Sequence, residues 1–150
     1  MESVMFEALS VPGNRKRTFT LLGVCGVVAA GAAAVGISDN PPGLLLAYLS
    51  TSTLVVALVH PWRASKQFQH LAYGSVLGFI TFGVLHNVFD AVASNVASSG
   101  FLHSLVAGAG TLFFLVATML CPAGLVVGVI GALVMSRRNR GSQPGPARTA

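Results

Sequence analysis

Four long apolar runs, separated by short polar stretches, account for most of this 150-residue chain. An α-helix rises about 1.5 Å per residue, so roughly 20 apolar residues cross the ~30 Å hydrocarbon core of a bilayer. Each run is close to that length or longer. The pattern therefore predicts an all-α, integral membrane four-helix bundle, with spans at about residues 18–37, 42–60, 68–93 and 104–135.

The fourth run is longer than one crossing requires. As a helix, residues 102–135 would extend about 50 Å. Pro122 lies near the middle of the run, and proline removes a helical hydrogen bond, so the sequence predicts a kink there. Alternatively, residues 101–107 lie in the outer interface and the span proper begins near Gly108.

The positions of Lys and Arg predict the orientation of the chain. All nine lie within three short segments, at 15–17, 63–66 and 137–148. Cytoplasmic segments of membrane proteins retain an excess of Lys and Arg. Both termini are therefore predicted to be cytoplasmic. Residues 1–14 would form a cytoplasmic segment, residues 15–136 the four-span domain, and residues 137–150 a disordered basic tail.

Composition excludes an ordinary soluble domain. Only 9% of the residues are charged and 53% are hydrophobic, whereas soluble domains carry about 25% charged residues. We expect the lipid bilayer as a partner and the cell membrane as the location. The retention of Lys and Arg in cytoplasmic segments accounts for the net charge of +5, so no nucleic-acid partner is expected. The first run, basic at its start and rich in Ala, could alternatively be a cleaved signal peptide.

Two short segments carry signals for helix boundaries. In the outer turn at 38–43, Asn40 is expected to cap the second helix and Pro41 to occupy its first position. Near the N terminus, Pro12 and Gly13 are expected to end a short interfacial helix.

Small residues at helical spacing predict close helix packing. A glycine every fourth residue lets another backbone approach, because no side chain intervenes. This spacing predicts packing faces on the third and fourth helices, at Gly74, Gly78, Gly83, Gly124 and Gly128. The partner helix could belong to this chain, to a second copy or to another membrane protein.

The polar residues of the third span are the main candidates for chemistry. His86 and Asp90 are four residues apart, so they share one helix face with Asn87 close by. Measured from Ala72, His86 lies about 21 Å and Asp90 about 27 Å across the membrane. Ionisable groups at such depth are costly and often functional. The alternatives are a proton or cation site and a His–Asp pair that satisfies itself near the interface.

A belt of hydroxyl side chains lies near the middle of the second span, at Ser50, Thr51, Ser52 and Thr53. Hydroxyls in a helix can donate to carbonyls of their own helix, which favours a packing role. The alternative is that the belt lines a small polar path.

Metal and cofactor chemistry have little support in the sequence. Asp39, His86, Asp90 and His103 could all lie toward the outer face, but their spacing is not that of a known metal site. The stretch Gly83-x-x-His86-x-x-x-Asp90 is similar to one in the cytochrome b anchor subunits of succinate dehydrogenase. That family has a further His where this chain has Phe79, and Arg where it has Leu85. The resemblance therefore implies no haem ligand in this chain. Neither a metal nor a cofactor is predicted.

Few residues of the chain are candidates for catalysis or ligand binding, and this determines the function that we expect. No catalytic motif is present, and Cys25 and Cys121 are expected to be buried apolar residues. We expect a non-enzymatic accessory or scaffolding subunit that acts through helix–helix contacts. The alternative is a small oligomeric transporter or channel with a proton or cation site at His86 and Asp90. A redox or metal enzyme is the third class.

Overall fold

The computed structural model describes residues 11–37, 40–95 and 100–141, and the regular elements within these ranges are all helical. In chain order they are α1 (Pro12–Val35), α2 (Pro41–Val59), α3 (Ser65–Asn95), α4 (Phe101–Leu115), a π-helical segment (Val116–Leu120) and α5 (Cys121–Gly141). The α4, π and α5 segments follow one another directly and form one long fourth helix.

The all-helical class and the number of long helices are confirmed. Four helices are long and apolar enough to cross a membrane, and the fourth runs without a break from Phe101 to Arg138. Insertion in a membrane, the orientation of the termini and the kink at Pro122 stay predictions.

The helices form two hairpins that meet along the fourth helix. Helix α1 packs on α2, and α3 packs on α4 and α5. The hairpins join where α2 contacts α5 and the π segment. Within the described ranges, α1 approaches no helix except α2. In the same part of the chain, the backbones of α2 and α3 flank the fourth helix without contact between them, and these two helices meet through side chains at the core. The predicted four-helix bundle is thus an open row rather than a closed ring.

Both ends of the described chain depart from the boundaries that the sequence predicts. Helix α1 begins at Pro12, so the basic cluster lies in its first turns rather than before it. Proline suits the first helical position because the N–H that it lacks has no helical partner there. Helix α5 continues through Gly141, so the tail predicted to be disordered from residue 137 is helical over its first residues. The predicted interfacial helix before Pro12 lies outside the described residues.

The turn between α1 and α2 depends on glycine. Gly36 ends α1 with φ of +85°, a conformation that residues with a Cβ rarely adopt. A Cβ on Gly43 would collide with the carbonyl oxygen of Gly36. Asn40 occupies the N-cap position of α2 and Pro41 its first helical position, as predicted, but the Asn40 side chain makes no capping hydrogen bond to α2. Its Nδ2 instead donates to the Val35 carbonyl at 2.8 Å, which satisfies one of the free carbonyls at the end of α1.

The π segment coincides with the proline of the fourth helix. It ends directly before Cys121, whose N–H donates to the Val116 carbonyl five residues earlier. Pro122 has no N–H, so the Thr118 carbonyl lacks its usual α-helical donor. The Tyr48 hydroxyl of α2 donates to that carbonyl at 2.9 Å. The irregular part of the fourth helix is therefore tied to the other hairpin.

A small hydrophobic core lies where the hairpins meet. Val55, Val59, Phe68 and Ala123 are buried together, and Trp62 packs against them. The Trp62 and Phe68 rings meet edge to face with centroids 5.5 Å apart. Most other large apolar side chains are exposed, Val27 at 75% and Leu77 at 66% among them. Such a surface suits contact with lipid.

Candidate functional site

His86 is held by the fourth helix rather than by Asp90. Its Nδ1 lies 3.0 Å from the Gly110 carbonyl oxygen. Because a carbonyl only accepts, Nδ1 must carry the proton in this contact. The half-buried ring also packs on Phe114, with centroids 5.1 Å apart. His86 therefore links α3 to α4.

Gly110 makes this link possible because α3 and α4 are close at this point. A Cβ on Gly110 would lie 3.4 Å from the Phe89 Cβ and 3.9 Å from the His86 Nδ1. Phe113 packs between Phe82 and Phe89, with ring centroids 5.9 and 5.1 Å away. The aromatic contacts fix the spacing of the helices, and the histidine bond fixes their register.

Asp90 and Asn87 lie on the same helix but take no part in this link. Both are exposed. The Asn87 Nδ2 donates to the Gly83 carbonyl of its own helix at 2.7 Å. Within the part of the chain that the structure describes, Asp90 forms no ion pair with His86 or with any other residue. The structure thus separates the predicted cluster into a bonded histidine, a self-satisfied amide and an unpartnered carboxyl group.

The hydroxyl belt of α2 also divides into separate roles. Thr51 and Thr53 donate to the Ala47 and Leu49 carbonyls of their own helix at 2.8 and 2.7 Å. Buried Ser50 donates across to the Cys25 carbonyl of α1 at 3.1 Å. The Cys25 thiol lies 3.4 Å from the Ser50 oxygen and can donate to it. Half-buried Ser52 has no hydrogen bond among the described residues.

The glycines of α5 lie directly against α3. A Cβ on Gly128 would lie 2.8 Å from the Ala72 nitrogen and 2.9 Å from the Phe68 carbonyl oxygen, closer than real Cβ atoms come. A Cβ on Gly124 would collide with the Ser75 hydroxyl. Gly131, which the sequence reasoning did not select, faces the Phe68 ring in the same way. The α3–α5 contact therefore requires a side-chain-free face on α5.

The glycines of α3 have different surroundings. A Cβ on Gly78 would lie 3.2 Å from the Cys121 Sγ. A Cβ on Gly74 or Gly83 would meet no atom of the described chain within 4 Å. Gly74 lines a groove of about 370 Å³ between α2 and α3, with Cys121 of the fourth helix also in its lining.

Two bonds between helices involve residues that the sequence reasoning did not select. One is the Tyr48 bond to Thr118. The other joins Ser65 at the start of α3 to Ser136 near the end of α5, with hydroxyl oxygens 2.9 Å apart. A carbonyl freed by proline is a signal for the first, since it needs a donor from another helix. No comparable signal marks the second.

The basic residues gather at one end of the molecule. Arg15 and His60 line one cavity at the junction of α1 and α2. A short loop then leads to α3, and the Ser65–Ser136 bond brings the end of α5 to the same place. The charged residues placed at this end are Arg15, Lys16, Arg17, Arg63, Lys66, Arg137 and Arg138. Asp90 lies 25 residues along α3 from Ser65, about 37 Å away.

Within the described residues, no three His, Cys, Asp or Glu side chains come together to hold a metal ion. Asp39, one of the four residues considered for such a site, lies outside those residues. The arrangement as a whole supplies interhelical hydrogen bonds, close helix contacts and a strong separation of charge. No protein-family model, curated protein or solved structure matches this chain.

Proposed function

We propose that this protein is a non-enzymatic accessory or scaffolding subunit of the cell membrane that acts through helix–helix contacts. The contact surface is the groove between α2 and α3, with Gly74 in its lining. The partner is another membrane protein or a second copy of the chain.

The open row of helices is the observation that carries this proposal. An α-helix is about 10 Å across with its side chains, and a ring of four would give each helix two neighbours. Here α2 and α3 flank the fourth helix and leave a groove between them. Gly74 borders that groove and has no atom of the described chain near its Cβ position. A glycine in an open groove permits another helix to approach closely.

The hydrogen bonds that the polar side chains make support a role without catalysis. Thr51, Thr53 and Asn87 donate to carbonyls of their own helices. Ser50 and His86 donate to carbonyls of neighbouring helices. Groups engaged in this way stabilise helices and their packing, and they offer no cluster of free titratable groups for a reaction.

The gathering of Lys and Arg at one end supports the proposed orientation. Positive residues are retained on the cytoplasmic side. At this end of the molecule they lie in the first turns of α1 and α3, in the loop between α2 and α3, and near the end of α5. Cysteine introduced at position 98 should react with an impermeant reagent in intact cells, and cysteine at position 65 should not. The reverse pattern would overturn the orientation without touching the scaffolding role.

Gly74→Leu is the sharpest test of the scaffolding role. A Cβ at position 74 meets no atom of the described chain within 4 Å, so folding should be retained, and the larger side chain in the groove should prevent assembly. Crosslinking in native membranes, followed by mass analysis, measures assembly. We expect the higher-mass species seen with the unmodified protein to fall by at least about fivefold, since overpacking typically costs roughly 1–3 kcal/mol.

Gly23→Leu is the matched control. Gly23 is also open within 4 Å, but it lies on α1, away from the groove. Assembly should survive this change. Equal crosslinking of the Gly74→Leu and unmodified proteins would contradict the proposal. Gly78→Leu is a poorer probe, because Gly78 already contacts Cys121 within the chain.

An oligomeric transporter or channel is the second candidate, and one observation favours it. The exposed Asp90 carboxyl group has no partner among the described residues, as a cation or proton site would require. Proton-driven or cation flux into liposomes should then disappear in Asp90→Asn. Flux that survives this change, and His86→Ala as well, would exclude the coupling role.

A further inference from the structure

The groove between α2 and α3 is long enough to hold part of another helix. It extends from His70 to Phe82 along α3, which is twelve residues or about 18 Å, more than half of the ~30 Å hydrocarbon core. Toward the basic end of the molecule, Val59 and Phe68 meet in the core, and Trp62 packs against them. A helix that lies in the groove therefore passes the loop between α2 and α3 as it leaves the molecule at that end.

One buried hydroxyl in the lining of this groove has no hydrogen bond. Ser75 is only 8% exposed, and its oxygen lies close to Gly124 of α5, which also lines the groove. Thr51 and Thr53 donate to the carbonyl four residues earlier in their own helix, as hydroxyls in helices commonly do. The Ser75 hydroxyl forms neither that bond nor any other among the described residues. Buried polar groups nearly always have a partner, which indicates that the groove receives a group able to form a hydrogen bond.

The surface around Ser75 favours a helix over a lipid chain. A Cβ on Gly74 would meet no atom of the described chain within 4 Å, so the backbone of another helix can approach here. Such a helix can bring a hydroxyl or amide side chain to the Ser75 oxygen. A lipid acyl chain carries no hydrogen-bonding group and would leave the hydroxyl unpaired at a cost in free energy.

Two cations beside the basic end of the groove indicate the charge of that helix. Arg63 lies in the loop between α2 and α3, Lys66 lies in the first turn of α3, and both are exposed. Neither forms an ion pair or a hydrogen bond within the described ranges. Carboxylates at this end of a partner helix would complement them. Each long helix of this chain begins or ends beside Lys or Arg at this end, so a second copy in the same orientation would bring like charges together.

We propose that the groove between α2 and α3 receives a transmembrane helix of a different protein, which hydrogen-bonds the Ser75 hydroxyl and carries carboxylates beside Arg63 and Lys66 at its cytoplasmic end. Carboxylates on the cytoplasmic side are compatible with insertion, because Asp and Glu contribute little to orientation. The proposal rests on the scaffolding role and the orientation proposed above, and it narrows the partner to this class of helix.

Energy transfer from Trp62 to designed transmembrane helices tests this class in the full-length chain. Trp62 is the one tryptophan of the chain and lies at the basic end of the groove. The protein is reconstituted in phosphatidylcholine vesicles with one of two synthetic Leu–Ala helices. Both have two glycines four residues apart with a serine between them, and their dansyl-labelled ends carry either two Glu or two Lys. We expect the Glu helix to bind about fivefold more tightly, because exposed ion pairs replace repulsion between like charges.

Two double variants separate the groove from the general charge at this end. Arg63→Gln with Lys66→Gln should abolish the preference for the Glu helix. Lys16→Gln with Arg17→Gln removes the same charge from α1, which approaches no helix except α2 among the described residues, so the preference should remain. Equal loss in the two double variants would show that general surface charge selects the helix, and would overturn the proposal.

Substitutions within the groove locate the bound helix. Gly74→Leu should abolish transfer to the Glu helix, whereas Gly23→Leu should not. Transfer that survives Gly74→Leu would place the bound helix elsewhere and overturn the proposal. Ser75→Ala should weaken binding about threefold, the average for a hydrogen bond between membrane helices. An unchanged affinity in Ser75→Ala would also overturn the proposal, because the polar contact would be absent.

Two further results distinguish this proposal from the scaffolding role itself. Equal affinity for the Glu and Lys helices, lost for both in Gly74→Leu, would overturn the acidic partner and leave the scaffolding surface in place. No transfer to either helix would also overturn the acidic partner, while crosslinking of Gly74→Leu in native membranes would still test the scaffolding role.

An excess of copies that carry both Gly74→Leu and Trp62→Phe tests a second copy as the occupant. These copies lack a usable groove and the fluorescent donor, but they still present their own helices. They should not reduce transfer from the unmodified chain to the Glu helix. A reduction would assign the groove to a second copy and overturn the proposal.

Discussion

Helices α1 and α5 are both rich in glycine, yet the structure uses their glycines differently. In α5, Gly124, Gly128 and Gly131 lie against side chains or backbone of α3. In α1, Gly23 and Gly26 have open space within 4 Å of the Cβ position. The same residue type thus makes tight contacts along α5, whereas along α1 the nearest is an ordinary contact of Gly31 with Leu46. A glycine becomes a packing site only when a partner helix brings atoms to it, which local sequence does not reveal.

The two hairpins also differ in how they are tied together. The α3–fourth helix pair combines glycine contacts, stacked aromatic rings and the His86 bond. The α1–α2 pair is joined through Ser50 and Cys25 and through a glycine-dependent turn. We therefore expect substitutions to cost more free energy in the first pair. Reversible unfolding in mixed detergent micelles can measure this difference.

The largest effect is expected at the glycine face of α5. Gly128→Ala should lower the free energy of unfolding by about 2 kcal/mol, because its Cβ must displace the backbone of α3. Gly26→Ala is the matched control in α1. It should raise the free energy of unfolding by about 0.5 kcal/mol, since Ala loses less backbone entropy in a helix. Similar changes in the free energy of unfolding of the two variants would show that the glycines of the two hairpins do not differ in their contribution to packing.

The bond between the hairpins comes next. Tyr48→Phe should lower the free energy of unfolding by about 1.5 kcal/mol, because the Thr118 carbonyl loses its donor. Tyr73→Phe is the control, since Tyr73 is 69% exposed and should tolerate the change. In a Pro122→Ala background the helix regains an N–H for that carbonyl, so Tyr48→Phe should cost much less. If Tyr48→Phe lowered the free energy of unfolding as much in that background, the Tyr48 bond would not depend on the missing N–H of Pro122.

Substitution of His86 tests whether the polar cluster of α3 contributes to helix packing. His86→Leu should lower the free energy of unfolding by about 1 kcal/mol through loss of the Gly110 bond. His70→Leu, an exposed histidine on the same helix, should have little effect. Asp90→Asn should also leave stability unchanged, because no ion pair is lost. Equal destabilisation by Asp90→Asn and His86→Leu would instead support a mutually satisfied His–Asp pair.

The smallest effect is expected within the α1–α2 hairpin. Ser50→Ala should lower the free energy of unfolding by about 0.6 kcal/mol, the average for a hydrogen bond between membrane helices. Ser52→Ala removes a hydroxyl that has no bond among the described residues and should be neutral. A cost at Ser50 above that at Gly128 would reverse the ranking of the two hairpins.

The described helices illustrate what periodicity and composition could predict. The length and apolarity of each run fixed the number of long helices, because a helix satisfies its own backbone groups wherever it lies. Boundaries were less predictable. The first span was expected to begin near residue 18, whereas α1 begins at Pro12, since proline suits the first helical position. Residues 137–141 were expected to be disordered and instead continue α5.

The candidate site was predictable only as a set of residues. Spacing placed His86, Asn87 and Asp90 near one another on α3, because that relation follows from one helix. It could not show that His86 binds the Gly110 carbonyl, since that bond depends on how α3 and α4 are aligned. The Tyr48 bond and the Ser65–Ser136 bond join residues about 70 positions apart, a distance over which local patterns carry no information.

Sequence by itself determined that the chain forms four long apolar helices and that its basic residues lie outside the apolar runs. Both properties depend on local hydrophobicity and charge. Tertiary structure decided that the helices form an open row, which glycines lie against a neighbour, and which carbonyl each polar side chain binds. Those outcomes depend on the alignment of separate helices, and each helix offers several faces of similar composition, so the choice among them is made only when the helices pack.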